Sequence, residues 1–154
     1  MTCRERLEQW LRDAGVSFEF QHHRTVFTAQ EVAQSEHIPG RTVAKAVMVD
    51  VDGRLAMLVL PASSKADLGK VIQALHAERV RLASEEEFRR AFPDCETGAM
   101  PIFGNLYGVP VVVDPGLAEN ESIVSQAGTH GDTVRVRYID FERLVRPEVA
   151  ELAH

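Results

Sequence analysis

Cysteine is scarce in this 154-residue chain, with Cys3 and Cys95 the whole complement. Two such residues build neither a disulfide framework nor the paired spacing of a zinc site. The expectation is two free thiols, Cys3 at a frayed end and Cys95 in a loop after Pro93-Asp94. Lysine is nearly as rare: Lys45, Lys65 and Lys70 are three of 17 basic residues, the others being arginine. Long apolar runs are missing too. The stretch Leu55 to Pro61 is typical, far below the roughly 20 residues that cross a bilayer. Met1-Thr2-Cys3-Arg4-Glu5-Arg6 alternates charge where a signal peptide would be apolar, so the expected location is cytoplasmic, with no membrane partner. Positive charge is in deficit, the net being -6. Non-specific coating of nucleic acid needs clustered positive charge, so DNA is not an expected partner, although a local basic patch stays open.

What is present describes an ordinary soluble domain. Hydrophobic residues make up 45% and charged residues 26%, which excludes disorder, a coiled coil and a collagen-like repeat. The length suits a single domain over residues 1–154. Leu7, Trp10, Leu11 and Ala14 have helical spacing and stop at Gly15. Ser17 to Gln21 alternates as a strand does. Thr28…Glu31 and Ser84…Glu87 are capping boxes, each opening a helix. Thr42–Val51 and Arg54–Leu60 predict a hairpin about Asp52-Gly53. A helix over 66–77 follows, with a strand near Val80–Leu82. Further strands are expected at Val109–Val113, Ser122–Ala127 and Thr133–Tyr138, with Asp114-Pro115-Gly116 as a turn and Asp140 capping a last short helix. Adjacent strands dominate the second half. The fold class is therefore α/β of the mixed α+β kind: a curled, barrel-like mixed sheet with helices packed outside it.

Three places could carry chemistry. Lys45 lies in Val43-Ala44-Lys45-Ala46-Val47-Met48-Val49, a strand otherwise apolar on both faces. Its ammonium must reach water, find a partner or meet an anion, and a flexible point charge serves phosphate well. Thr97-Gly98-Ala99-Met100-Pro101-Ile102-Phe103-Gly104 is the second. Gly lets a ligand approach the main chain and Pro fixes the turn, so exposed amides could grip an ester carbonyl; an ordinary surface loop reads equally from composition. The third is Gly128-Thr129-His130-Gly131, in which His130 is a base, a hydrogen-bond donor or a plain turn residue. His22 and His23 are adjacent on an extended chain and point opposite ways, so no metal site is expected from them. Walker, dinucleotide-binding and nucleophile-elbow signatures do not occur.

Taken in order, these segments resemble the YbaK/prolyl-tRNA-synthetase-associated domain family of trans-editing aminoacyl-tRNA deacylases. The likeness runs from about His22 to Leu144 through Val43-Ala44-Lys45, Val59-Leu60-Pro61, Arg81-Leu82-Ala83-Ser84, Gly98 to Gly104, Val111-Val112-Val113-Asp114 and Ala127-Gly128-Thr129-His130. The resemblance implies a metal-free and cofactor-free ester hydrolase acting on the acceptor end of a mischarged tRNA. The tRNA would be that for proline, and the wrong residue small: Ala, Cys, Ser, Thr or 2-aminobutyrate. It implies catalytic roles for Lys45, Gly98 and His130, and substrate contacts from Ala46, Thr97, Ala99, Met100, Pro101, Phe103, Gly128 and Thr129. Arg41, Lys65, Lys70, Arg79 and Arg81 are the candidate contacts to tRNA phosphate. Prolyl-tRNA synthetase and elongation factor are the partners that analogy suggests. One departure stands out, since some relatives carry a polar residue at the place of Ala46. The alternative is a binding module of the same fold that holds tRNA or a synthetase without turnover.

Overall fold

A computed structural model describes residues 1–153. The chain runs α1 (Cys3–Asp13), β1 (Phe18–His22), α2 (Ala29–Ser35), β2 (Ala44–Val51), β3 (Arg54–Pro61), α3 (Leu68–Leu75), β4 (Val80–Leu82), α4 (Glu85–Ala91), β5 (Val111–Val113), β6 (Ser122–Gln126), β7 (Asp132–Arg137), α5 (Tyr138–Val145) and β8 (Glu148–Val149), with short 3-10 turns at Gly40–Thr42, Gly104–Tyr107 and Pro115–Glu119. The strands form two ladders, β1-β7-β6 and β4-β2-β3-β5-β8. The first is antiparallel throughout. The second mixes antiparallel β4-β2-β3 with parallel β3-β5 and β5-β8. A parallel bridge between Val43 and Val124 joins the two. The mixed α/β class is thus observed.

Alternation along the strands shows why β3 and β5 read as unbroken apolar runs. Met57 and Val59 of β3, with Val111 and Val113 of β5, face a core shared with Leu7 and Leu11 of α1, Ile123 of β6, Val134 and Val136 of β7 and Phe141 of α5. Ala56, Leu58, Leu60 and Val112 face the opposite way, against Val71 of α3. Covered on both sides, these strands have no polar face to show. A third cluster packs Val32 and Ala33 of α2 on Val26, Val43 and Ala62.

Local chemistry sets the element ends. Both capping boxes form, Thr28 with Glu31 and Ser84 with Glu87, and a further one, Thr2 with Glu5, opens α1. Asp52 and Gly53 have φ of 50° and 89° and close the β2–β3 hairpin, as a two-residue turn of this type requires. Asp67 caps α3 by accepting from the amides of Gly69 and Lys70 at 3.0 and 3.2 Å. Asp67→Ala is expected to cost about 1 kcal/mol of stability, read as a lower urea midpoint at unchanged slope; an unmoved midpoint would deny the cap its role.

Four expectations need correction. Cys3 and Cys95 are joined in a disulfide, with Cα atoms 5.0 Å apart. Far from fraying, Cys3 is 1% exposed; its amide donates to the Asp94 carbonyl at 3.1 Å and so anchors the first turn of α1. Asp140 does not cap α5: Arg137 holds that place, and Asp140 lies in the first turn, paired with Arg143 at 3.3 Å. The strand expected from Val109 begins at Val111; Pro110 has no amide to donate, though its carbonyl accepts from Met57. The two-residue β8 after Pro147 carries no apolar pattern by which to find it.

Candidate active site

Lys45 stands opposite Leu60 in the β2–β3 register. Directly opposed side chains share a face, and Leu60 belongs to the α3-side core, so Lys45 projects on that side. Its neighbour Ala46 packs on the other core. After β3 the chain curls back, and Lys45 Nζ donates to the Ser64 carbonyl at 2.5 Å. That neutral oxygen is its partner; among the described residues no carboxylate pairs with Lys45 or Lys65. Burial, with the nearby Lys65 charge adding to it, pushes the Lys45 ammonium below the ordinary lysine pKa. Two uncompensated ammonium groups side by side favour an anion.

The two loops expected to hold substrate meet each other. Glu96 links them: its amide donates to the Gly128 carbonyl at 2.8 Å, and its carboxylate accepts from the His130 amide at 2.8 Å. In return the Gly128 amide donates to the Ala99 carbonyl at 2.9 Å. His130 Nε2 lies 2.9 Å from the Thr97 carbonyl. A carbonyl only accepts, so Nε2 carries the proton. Nδ1 of that ring is buried and has no partner among the described residues. A Cβ on Gly98 would lie 3.7 Å from the His130 ring, so the histidine braces this loop from beneath. Thr129 is occupied at its turn, its hydroxyl donating to Asp132 at 2.6 Å and accepting from the Gly131 amide.

Within the loop, surface and interior separate. Gly98 is exposed, with φ of +87°, a conformation that strains other residues. Thr97 is half-buried, and Ala99, Met100, Pro101 and Phe103 are buried. The Ala99 amide and carbonyl are both taken internally, by Glu96 and Gly128. The hydrogen bonds of the described residues leave the Gly98 and Met100 amides without an acceptor. Phe103 corrects its assignment: it is fully buried, with its ring 5.5 Å from Trp10 and 5.7 Å from Phe141. It anchors the loop and has no surface to offer a substrate.

The small third core adjoins the second loop and the chain just before the lysine. Val26 donates its amide to the His130 carbonyl at 3.0 Å and packs with Val43 and Ala62. Phe27, 66% exposed, lies 4.9 Å from the His130 ring. A cleft of about 430 Å3 is lined by Thr28, Gln30, Glu31, Ala33, Gln34, Gly40 and Ser63. Thr28 follows Phe27, and Ser63 precedes the residue that Lys45 binds.

The five candidate phosphate contacts do not form one group. Exposed Arg41 adjoins the cleft through its neighbour Gly40, and exposed Lys65 lies two residues after Ser63, which lines it. Lys70 Nζ is held by the Ala153 carbonyl at 2.7 Å. Arg79 and Arg81 line another cleft with Asp50, Asp52, Gly53 and Glu78. Arg81 pairs with Asp50 at 3.2 Å and Glu87 at 2.9 Å, and that guanidinium with the Ser84 cap holds the Glu87 carboxyl down at about 2. Asp50, in register with Arg81, is five residues from Lys45, about 16 Å along the strand. Sequence reasoning missed Glu96, an acidic residue in a loop with no spacing to single it out.

Solved structures share this fold. A protein described as hypothetical protein APE2540 superposes with a TM-score of 0.87 at 16% identity, over 97% of this chain and 99% of the other. A candidate trans-editing enzyme for prolyl tRNA synthetase does so with 0.87 at 20%, over 100% and 98%. A signal transduction protein of Marinobacter aquaeolei contains the same fold in 30% of its length, matching 97% of this chain with a TM-score of 0.76 at 18% identity. Identities this low establish the fold alone. Residues 23–144, which span Lys45, the Gly98 loop and His130, match the aminoacyl-tRNA editing domain. With that match covering most of the sequence, the chain belongs to the aminoacyl-tRNA editing domain family.

Proposed function

We propose that this protein hydrolyses the ester of a mischarged tRNA, releasing a small wrong amino acid from the tRNA for proline. The observation that carries the reading is Lys45 beside Lys65, two ammonium groups without a carboxylate partner among the described residues, next to a cleft. The 3′ end of a tRNA supplies the phosphate they lack, and Lys45 holds it or offsets charge developing on the ester. Arg41 is placed to add a phosphate contact.

The loops would handle the acyl group. An aminoacyl ester is already activated, so positioning supplies much of the rate. Water, positioned with help from the neighbouring ribose hydroxyl, attacks the carbonyl carbon. The amides of Gly98 and Met100 donate to the oxygen as it becomes negative. The C–O bond to the ribose then breaks, and the leaving oxygen takes the proton given up by the nucleophile. Amino acid and tRNA with a free terminal hydroxyl result. His130, with Nε2 on Thr97 and its amide on Glu96, keeps the Gly98 loop in shape for this. Proline would be excluded by clash from a site too small for its ring. No step assigned here uses a metal or cofactor.

Ala46 favours a second reading, because its methyl group packs into the core and gives substrate no polar contact. On that reading the protein binds tRNA or a synthetase without turnover. Hydrolysis of tRNA for proline charged in turn with Ala, Cys, Ser, Thr, 2-aminobutyrate and Pro separates the two. Cleavage of one or two small residues with Pro spared is the expected result. Silence across the panel and on other tRNAs, with saturable binding by folded protein, would establish the second reading instead.

The pH profile provides another check. The charged form of Lys45 is required, and its pKa is lowered. After subtraction of uncatalysed hydrolysis, the rate is therefore expected to fall on the alkaline side below the ordinary lysine value of 10.5. A rate still flat past that value would remove the lysine from the mechanism.

A further inference from the structure

We infer that the Cys3–Cys95 cross-link positions both loops of the site, so that hydrolysis responds to thiol redox state; the catalytic part of this rests on the deacylase reading above. One half of the bond leads into the first loop and the other lies against the second. Cys95 immediately precedes Glu96, the residue that holds the Gly128 carbonyl and the His130 amide. Cys3 lies against the second loop itself: a Cβ built on Gly128 would be 2.7 Å from Cys3 Sγ and 2.8 Å from Cys3 Cβ. The Cys3 amide, bound to the Asp94 carbonyl, and Arg6 with Tyr107 on the Asp94 carboxylate, at 3.0 and 2.7 Å, fix the backbone on either side of the bond.

Reduction changes this geometry for a simple reason. Two thiols need van der Waals separation where the disulfide needs a bond length. Cys3 is enclosed, with Gly128 pressed against it. Separation therefore displaces either Gly128 or the chain at Cys95 and Glu96, and both carry the hydrogen bonds that brace His130 and the Gly98 loop.

The chemistry is thiol–disulfide exchange with a low-molecular-weight disulfide such as oxidised glutathione. Half-buried Cys95 is the more accessible thiol. As thiolate it attacks one sulfur of the small disulfide and expels one small thiol. Cys3, losing its proton, then attacks Cys95 Sγ and expels the second. Two protein thiols are oxidised, one small disulfide is reduced to two thiols, and the reverse sequence with excess thiol opens the bond.

The test compares the full chain equilibrated with oxidised glutathione and with a reducing dithiol, well below the melting temperature of either form. Thiol titration is expected to find none in the first state and two in the second. Reduction is expected to lower kcat by about tenfold to a hundredfold with KM little changed, and to speed hydrogen exchange at the His130 amide. A protein carrying both Cys3→Ser and Cys95→Ser should behave as the reduced form does and ignore glutathione. Two titratable thiols under oxidising conditions, or His130 exchange identical in both states, would overturn the inference, as would equal rates in an active protein. Altered exchange without hydrolysis in either state would uphold the positioning by the cross-link and sink the deacylase reading.

Discussion

Lys45→Met is expected to lower deacylation of a mischarged tRNA by about 10²–10³-fold, the range for losing one stabilising group at a reacting centre, while leaving the melting temperature unchanged or higher. The two halves share one cause. The Lys45 ammonium is partly buried, bonded to a neutral carbonyl and repelled by Lys65, so its charge is costly in the folded chain. The sign follows from linkage. A lysine whose folded pKa is lowered binds fewer protons when folded than when unfolded, so its cost is present in full at neutral pH and relieved as pH rises toward 10.5. Methionine keeps the stem, drops the charge and suits the face shared with Leu60. A group that harms stability and serves function is a common mark of a site. Lys45→Arg keeps the charge but spreads it over a planar fork, and should recover only part of the rate. A methionine protein as active as the parent on a verified substrate would end the role proposed for Lys45. One that is inactive and also markedly less stable would show that the lysine serves the fold.

Gly128→Ala is the second large effect, on stability and activity together. The new methyl would meet Cys3 Sγ at 2.7 Å, Cys3 Cβ at 2.8 Å and the Arg4 amide at 3.3 Å. These atoms belong to a cross-linked residue and to backbone, and neither yields as the end of a flexible side chain would. Overpacking of this kind costs about 1–3 kcal/mol. The φ of +97° adds about 1–2 kcal/mol for a residue with a Cβ. Gly53→Ala is the natural control, since Gly53 also has a positive φ, +89°, but open space around it. Urea unfolding of the two variants isolates the steric part. Equal losses would mean that the contact with Cys3 is unimportant. A larger loss at Gly128, with deacylation below a tenth of the parent rate, is the expected outcome.

Much of the local structure was legible because the signals that set it are local. The two recognised capping boxes and the Asp52-Gly53 turn each act within four residues, and all form as read. Lys45 drew attention as the one charge between Val43 and Val49, and the structure gives it a neutral carbonyl as its hydrogen-bond partner. Gly98 and His130 were picked separately, from glycine and histidine in turn-like settings, and they prove to be neighbours. Where reading failed, the deciding partner lay far off in sequence. Arg81 read as a candidate phosphate contact, but Asp50 and Glu87 pair with it. Phe103 read as part of an exposed loop, although Trp10 and Phe141 enclose it.

By itself, then, the sequence determined the helices and the hairpin, because periodicity, capping and turn chemistry work over a few residues; the family came from resemblance along the chain, and the odd lysine from its apolar neighbours. Only the tertiary structure decided that Cys3 and Cys95 bond, that Glu96 ties the Gly98 loop to His130, and that Lys45 meets Ser64. Those contacts depend on which strands pair and how the chain returns across them. Long-range pairing is chosen by the packing of the whole core, and no window of neighbouring residues contains it.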